Sequence, residues 1–210
     1  MAAAFSSPDF SPRAPVIGLL VVCTAGAIAA CGAPADRARI EPTYDRATGR
    51  LELLKYDANG DGNVDTWSYM DGAQIVRIEI DTNHDGVLDR WEYYRADGQL
   101  EKVGSSRMQD GSPDSWAYYG QGGSIARLEL ATHSGDTVDR IEHYEKGAIV
   151  RAEEDTTGDG RIDKWEVYDG PRLASVAFDT TDRGYPDHRL VYSADGSARP
   201  EAVSPLTDGR

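Results

Sequence analysis

The chain has 210 residues, with 36 Asp and Glu against 22 Lys and Arg, a formal net charge of −14. That balance argues against nucleic acid as a partner, because neutralising phosphates needs a basic face, and it points instead to cations or neutral surfaces. The two cysteines, Cys23 and Cys31, both lie near the N-terminus, so no disulfide framework holds the rest together, and 11 Tyr and 4 Trp against 3 Phe favour half-buried sheet positions over a thick dry core.

Residues Ala14 to Ala30 form an uncharged, mostly apolar run preceded by Arg13 and ending in small residues. It is short for a membrane span and reads as the core of a signal peptide covering residues 1–30. Ile28-Ala29-Ala30-Cys31 resembles the bacterial lipobox. The resemblance implies that Cys31 is lipidated and becomes the mature N-terminus, with Cys23 removed. The protein is then expected to be exported and held at the bacterial cell envelope, in a membrane or at the cell surface, by its lipid. Cleavage by the ordinary signal peptidase and an uncleaved anchor are the alternatives. The small, polar, Pro-containing residues 31–42 read as a flexible tether.

From Asp57 onward the sequence repeats. Related segments start at Asp57, Asp81, Ser106, Ala131, Asp155 and Asp179, separated by 24 or 25 residues. A partial unit precedes them, and the repeat domain is expected over 43–193. Each unit opens with an Asp/Asn/Gly loop and continues into a short segment with aromatics two apart, such as Trp67 and Tyr69 or Trp91 and Tyr93. A Gly-containing turn and a second alternating segment complete it. Period-two patterning on both sides of a Gly turn predicts a β-hairpin, and a helix has no room. Second segments also share columns, Ile75, Leu100, Ile125, Ile149 and Leu173 in one and Arg77, Lys102, Arg127 and Arg151 two residues on. The expected fold is therefore all-β: about twelve short antiparallel strands in one elongated or curled meander of stacked hairpins. The sixth unit, with Pro186 and Arg189, reads as a degenerate cap, and 194–210 as a disordered tail.

The loops follow D-x-N-x-D-G-x-x-D. Ca²⁺ takes 6 to 8 oxygen ligands, and an EF-hand-type loop supplies them from positions 1, 3, 5, 7 and 9 with Gly at 6 for the turn. Loop one offers Asp57, Asn59, Asp61, Asn63 and Asp65 around Gly62; loop two offers Asp81, Asn83, Asp85, Val87 and Asp89 around Gly86. Loop five offers Asp155, Thr157, Asp159, Arg161 and Asp163 around Gly160. Position 12 is Glu92 in loop two and Glu166 in loop five, both candidate ligands, although each lies in a predicted strand and is aimed either at its loop or at solvent. Loops three and four have lost positions 1 and 3, and loop six carries Arg183 at position 5, so calcium is expected in loops one, two and five.

These loops resemble the calcium loops of EF-hands, dockerins and thrombospondin type 3 repeats, over 9 to 12 residues of each unit; the helix of a dockerin and the cysteines of a thrombospondin repeat are missing. The hairpin halves resemble the Tyr- and Gly-containing units of bacterial YD-type and MORN-type surface repeats. Together they imply a bacterial surface lipoprotein of calcium-loop and hairpin repeats.

Each feature also has a plainer reading. Asp and Asn make Asx-turns without any metal, but three carboxylates within nine residues, with no Lys or Arg inside loops one and two, repel one another unless a cation sits among them. The Trp and Tyr pairs suit cross-strand packing better than a sugar platform, and the Arg and Lys column suits pairing with Glu79, Glu129 and Glu153. His84, His133, His143 and His188 share no metal-site spacing. Nothing resembles a nucleophile elbow, a Cys/His pair or a phosphate loop, so no enzyme is expected. The rival to a structural calcium protein is a surface module whose sheet binds a polysaccharide or protein, with metal incidental.

Overall fold

A computed structural model of the chain describes residues 39–133 and 137–203. The signal peptide, Cys23, Cys31, most of the tether, position 5 of loop four and the last seven residues lie outside the described residues.

The alternating segments all form strands: β1 (Ile40–Tyr44), β2 (Leu51–Tyr56), β3 (Thr66–Asp71), β4 (Gln74–Ile80), β5 (Arg90–Tyr94), β6 (Leu100–Ser105), β7 (Ser115–Tyr119), β8 (Ile125–Leu130), β9 (Arg140–Glu145), β10 (Ala148–Glu154), β11 (Lys164–Asp169), β12 (Arg172–Phe178), β13 (His188–Tyr192) and β14 (Ala198–Glu201). They make one open antiparallel sheet in strict chain order, each strand pairing with its sequence neighbours. The all-β hairpin meander is therefore what the residues build. Pro42 in β1 and Pro200 in β14 sit on the two outer strands, where a missing N–H disrupts no inner ladder.

The sheet reaches past the expected 43–193 at both ends. β1 takes in residues 40–42, placed in the tether by sequence, and β14 lies in the stretch read as a disordered tail. The cause at the C-terminal end is Asp195-Gly196, a turn of the same kind as Asp97-Gly98, which folds β14 back onto β13 through Leu190↔Pro200 and Val191↔Arg199.

Strict alternation fails at one recurring place. Tyr69 faces Arg77 but Met70 faces Ile75, so Val76 is an extra residue; Glu101, Ala126, Val150 and Ala174 are skipped likewise. Such a bulge moves whatever precedes it to the other face. The Ile75 column therefore lies opposite the Arg77 column, not on its face as simple parity predicts.

A cross-strand row on one face runs Ile78, Glu92, Val103, Ala117, Leu128, Glu142, Ala152, Glu166 and Val176. It contains the most buried apolar side chains, Val103 at 2% and Ala152 at 1% exposure. Tyr94, Tyr144 and Tyr168 fold back on their own strands and donate to Glu92, Glu142 and Glu166. The opposite face carries the Trp/Tyr pairs and the Arg/Lys column.

In such a meander, alternate connections fall at opposite ends of the strands. All six Asp loops therefore stand in one row along a single edge of the sheet, two strands or about 9.6 Å apart, and the Gly turns line the other edge.

Candidate metal centre

Every loop is closed by the same carboxylate. The position-9 Asp accepts the N–H of position 2 in all six: Ala58 to Asp65, Thr82 to Asp89, Arg107 to Asp114, Thr132 to Asp139, Thr156 to Asp163 and Thr180 to Asp187, at 2.7–3.1 Å. Where position 2 is Thr its hydroxyl donates as well. The same Asp ties the units together through its backbone. Its N–H donates to the residue before the loop, and its carbonyl accepts the first N–H of the next loop, as in Asp81 to Asp65 and Asp155 to Asp139, both 2.8 Å. Asp65, Asp114 and Asp139 are accordingly buried, at 2–4% exposure. This role needs no ion, which is why position 9 stays Asp even in loops three, four and six. The sequence signal for it was the recurrent Thr at position 2, not a metal pattern.

Positions 1 and 5 behave differently. Asp57 accepts from Gly60 and Gly62, Asp81 from His84 and Gly86, and Asp155 from Gly158 and Gly160. Asp61, Asp85 and Asp159 accept the position-7 N–H of Asn63, Val87 and Arg161 at 2.7–3.0 Å. Asn59 and Asn83 each donate to their position-5 Asp, and Thr157 donates to Asp155. The chain winds tightly enough for this because position 6 is Gly in the left-handed region, φ 93°, 89° and 89° at Gly62, Gly86 and Gly160. A side chain at that φ is strained.

These amides hold the carboxylates in their charged form. The Asn63 N–H and the Asn59 amide keep Asp61 below the ordinary carboxylate range. At Asp155 desolvation pushes upward, but the N–H groups of Gly160 and Gly158 outweigh it and the net direction is down. Each carboxylate oxygen has two lone pairs, so one amide leaves room for a second partner. The carbonyls of Asn63, Val87 and Arg161 accept no hydrogen bond among the described residues.

Cations join the loops in pairs. His84 in loop two reaches Asp65 in loop one, Nδ1 to Oδ1 3.1 Å, and that carboxylate holds the imidazole pKa above its usual value. Arg107 in loop three meets Asp114 and donates to the Ala131 carbonyl opening loop four. Arg161 turns out of loop five to Asp182 in loop six at 3.0 Å, so its charge does not occupy its own loop.

The two position-12 glutamates are taken elsewhere. Glu92 accepts from Arg90 and Tyr94, and Glu166 from Lys164, Arg140 and Tyr168. They lie on the strands in ion-pair clusters, neither in a loop nor free in solvent. In the remaining sets the carboxylates accept from the loop's own amides, and among the described residues no three His, Cys, Asp or Glu side chains converge as a metal cage. The donors themselves fit a hard cation, being Asp, Asn and Thr oxygens with free carbonyls at position 7.

No protein-family model and no curated protein matches the chain. Among solved structures, part of the chain is similar to the crystal structure of accessory secretory proteins 1, 2 and 3 of Streptococcus pneumoniae, at 15% identity and a TM-score of 0.26, over 50% of this chain and 17% of that chain.

Proposed function

We propose that this is an exported, lipid-anchored repeat protein whose loops one, two and five bind structural Ca²⁺. One observation carries the reading. Asp57, Asp61, Asp81, Asp85, Asp89, Asp155, Asp159 and Asp163 have no Lys, Arg or His within ion-pair distance among the described residues, whereas the strand residues Glu79, Glu92, Glu129, Glu142, Glu153, Glu154 and Glu166 are all paired. The strand glutamates without a cationic partner among the described residues, Glu41, Glu52, Glu101 and Glu145, are all exposed, whereas Asp81, Asp89 and Asp155 are buried; buried charge left uncompensated in the loops is charge open to an outside cation.

Positions 1, 3, 5, 7 and 9 supply five oxygens per loop, and water completes the 6 to 8 that Ca²⁺ takes. Glu92 and Glu166 stay in their ion pairs. When bound, calcium supplies the positive charge that lets the carboxylates at positions 1 and 5 turn toward a common centre. Adjacent loops then hold a fixed angle between successive hairpins. Extracellular sites of this kind bind at about 10⁻⁴ to 10⁻³ M, so the ion is structural and not a signal.

Terbium tests this directly, because Trp67, Trp91 and Trp165 each lie two residues beyond a position-9 Asp and can sensitise it. Saturable terbium emission displaced by calcium is expected, with a calcium-dependent gain of about 1.4 kcal/mol per occupied site at tenfold excess over Kd. Absence of both effects overturns the reading.

The anchor has its own test. Cys31→Ser is expected to abolish labelling by a fatty-acid analogue in a bacterial host and to release the protein from the membrane fraction. Labelling that persists refutes lipidation at that residue.

A further inference from the structure

We infer that Lys102, Tyr93 and Trp116 form a subsite for a uronic acid, and that the partner of this sheet face is an acidic polysaccharide. Arg77, Tyr93, Lys102, Tyr118 and Arg127 are successive neighbours in one cross-strand row of this face. Three of its cations are neutralised by a Glu two residues on: Arg77 to Glu79 at 3.2 Å, Arg127 to Glu129 at 2.8 Å, Arg151 to Glu153 at 3.7 Å. At Lys102 the corresponding residue is Gly104, and no carboxylate pairs with the ammonium among the described residues.

Arg77 and Arg127 each lie over one ring, Tyr69 and Tyr118, besides their Glu, whereas Lys102 lies over two rings and has no Glu. Lys102 Nζ lies 4.7 Å from the Tyr93 centroid and 4.4 Å from that of Trp116, and the two rings are 5.9 Å apart at 47°. Gly104 makes this arrangement possible, since a Cβ there would come within 2.9 Å of the Trp116 ring. The rings attract the cation through their quadrupoles but bring no counter-charge. Unit two therefore keeps the cation, drops the carboxylate and, with Trp116 of unit three, sets two half-buried rings against it.

A uronic acid satisfies both parts, its C–H face against Trp116 and Tyr93 and its carboxylate on Nζ. A neutral sugar would leave the charge unused, and an acidic peptide would leave the rings uncovered. The period also fits a polymer. Successive cations stand two strands, about 9.6 Å, apart, close to the length of a disaccharide in an extended chain. A polysaccharide with one carboxylate per disaccharide, running across the strands, places one carboxylate on Lys102 and the next ones beside Arg77 and Arg127, whose guanidinium groups are already paired with Glu79 and Glu129. Glu79, Glu129 and Glu153 answer Arg77, Arg127 and Arg151 on this face, which leaves Lys102 as the cation of that row with no carboxylate partner among the described residues.

The test is a Trp fluorescence titration in EDTA, which removes calcium bridging through the loops. The probes are hyaluronan oligosaccharides with one carboxylate per disaccharide, chito-oligosaccharides with none, and polyglutamate. Saturable, salt-sensitive hyaluronan binding is expected, weakened about tenfold or more in Lys102→Gln and in Lys102→Met, which keeps the aliphatic stem between the rings. Arg46→Gln, in the exposed turn between β1 and β2, is expected to bind as the parent does. No hyaluronan binding, equal binding of chito-oligosaccharide or polyglutamate, or undiminished binding by whichever Lys102 variant retains the parent melting temperature overturns the proposal.

Discussion

Asp114→Ala is expected to destabilise the protein by about 2–4 kcal/mol, with or without calcium. Asp114 lies in loop three, which lacks acidic ligands at positions 1 and 3, and its carboxylate is 3% exposed. It accepts the N–H of Arg107 at 2.9 Å and of Met108 at 3.0 Å, and pairs with Arg107 Nε at 3.2 Å. Alanine leaves two amides without the acceptor that a carboxylate 3% exposed provides, and each unsatisfied donor costs about 1–3 kcal/mol. For a chain of this size that corresponds to a melting temperature lower by roughly 5–15 °C. Asp114→Asn, which keeps one carbonyl oxygen for the amides, is expected to lose less. Hydrogen exchange at Arg107 and Met108 locates the damage, since both amides should become unprotected before the strands open. A shift no larger than the ~0.5 kcal/mol of an ordinary surface change would contradict the role assigned to position 9. Asp85→Ala is the counterpart: an exposed position-5 carboxylate with an Asx-turn bond to Val87, it is expected to matter chiefly when calcium is present.

The contrast between these two aspartates marks where the sequence could be read and where it could not. Spacing and period two carry the fold, because each hairpin is built from contacts within some 25 residues and neighbouring units repeat them. Period two does not carry the bulge, since the extra residue differs from unit to unit, Val76, Glu101, Ala126, and only the pairing of Tyr69 with Arg77 and Met70 with Ile75 exposes it. Position 9 looked like one ligand among five because Asp serves metal and amide equally well. Its persistence in loops three, four and six, where other ligands are gone, was the clue that a second role was present. Glu92 and Glu166 fell at position 12 by the accident that strand alternation places a Glu three residues after the loop. What they bond to depends on Arg90, Lys164 and above all Arg140, which reaches Glu166 from a neighbouring unit and is invisible to any local pattern. Lys102 was read as one of four equivalent cations, and the missing Glu at Gly104 becomes informative only when Trp116 is seen to lie over that glycine.

Arg140→Leu is expected to be the most damaging single substitution, at about 3–5 kcal/mol near neutral pH. Its guanidinium, with the side chain 16% exposed, bonds Glu142 at 2.8 Å, Glu154 at 2.8 Å and Glu166 at 2.9 Å, joining β9, β10 and β11. Lys164 is the only other cation in the cluster, at 2.9 Å from Glu154 and 2.8 Å from Glu166 among the described contacts. Without Arg140, three carboxylates share one ammonium on a partly buried face. The pH dependence identifies the cause. At Glu166 desolvation pushes the pKa up, but Lys164 and Arg140 outweigh it, and the net direction is below the ordinary carboxylate value. A carboxylate with a depressed folded pKa contributes stability that is fully present above its unfolded pKa and is lost as pH falls through the folded one. The gap between parent and Arg140→Leu in urea unfolding is therefore expected to be widest near neutrality and to narrow as pH drops below about 4, where the glutamates lose their charge in both proteins. Arg140→Leu combined with Glu166→Leu should recover part of the loss, because what harms the single variant is the carboxylate left behind and not only the missing bond. A gap that stays constant down to acid pH would mean that Arg140 acts through its packed aliphatic stem, and the ion cluster joining three strands would have to be regarded as incidental to stability.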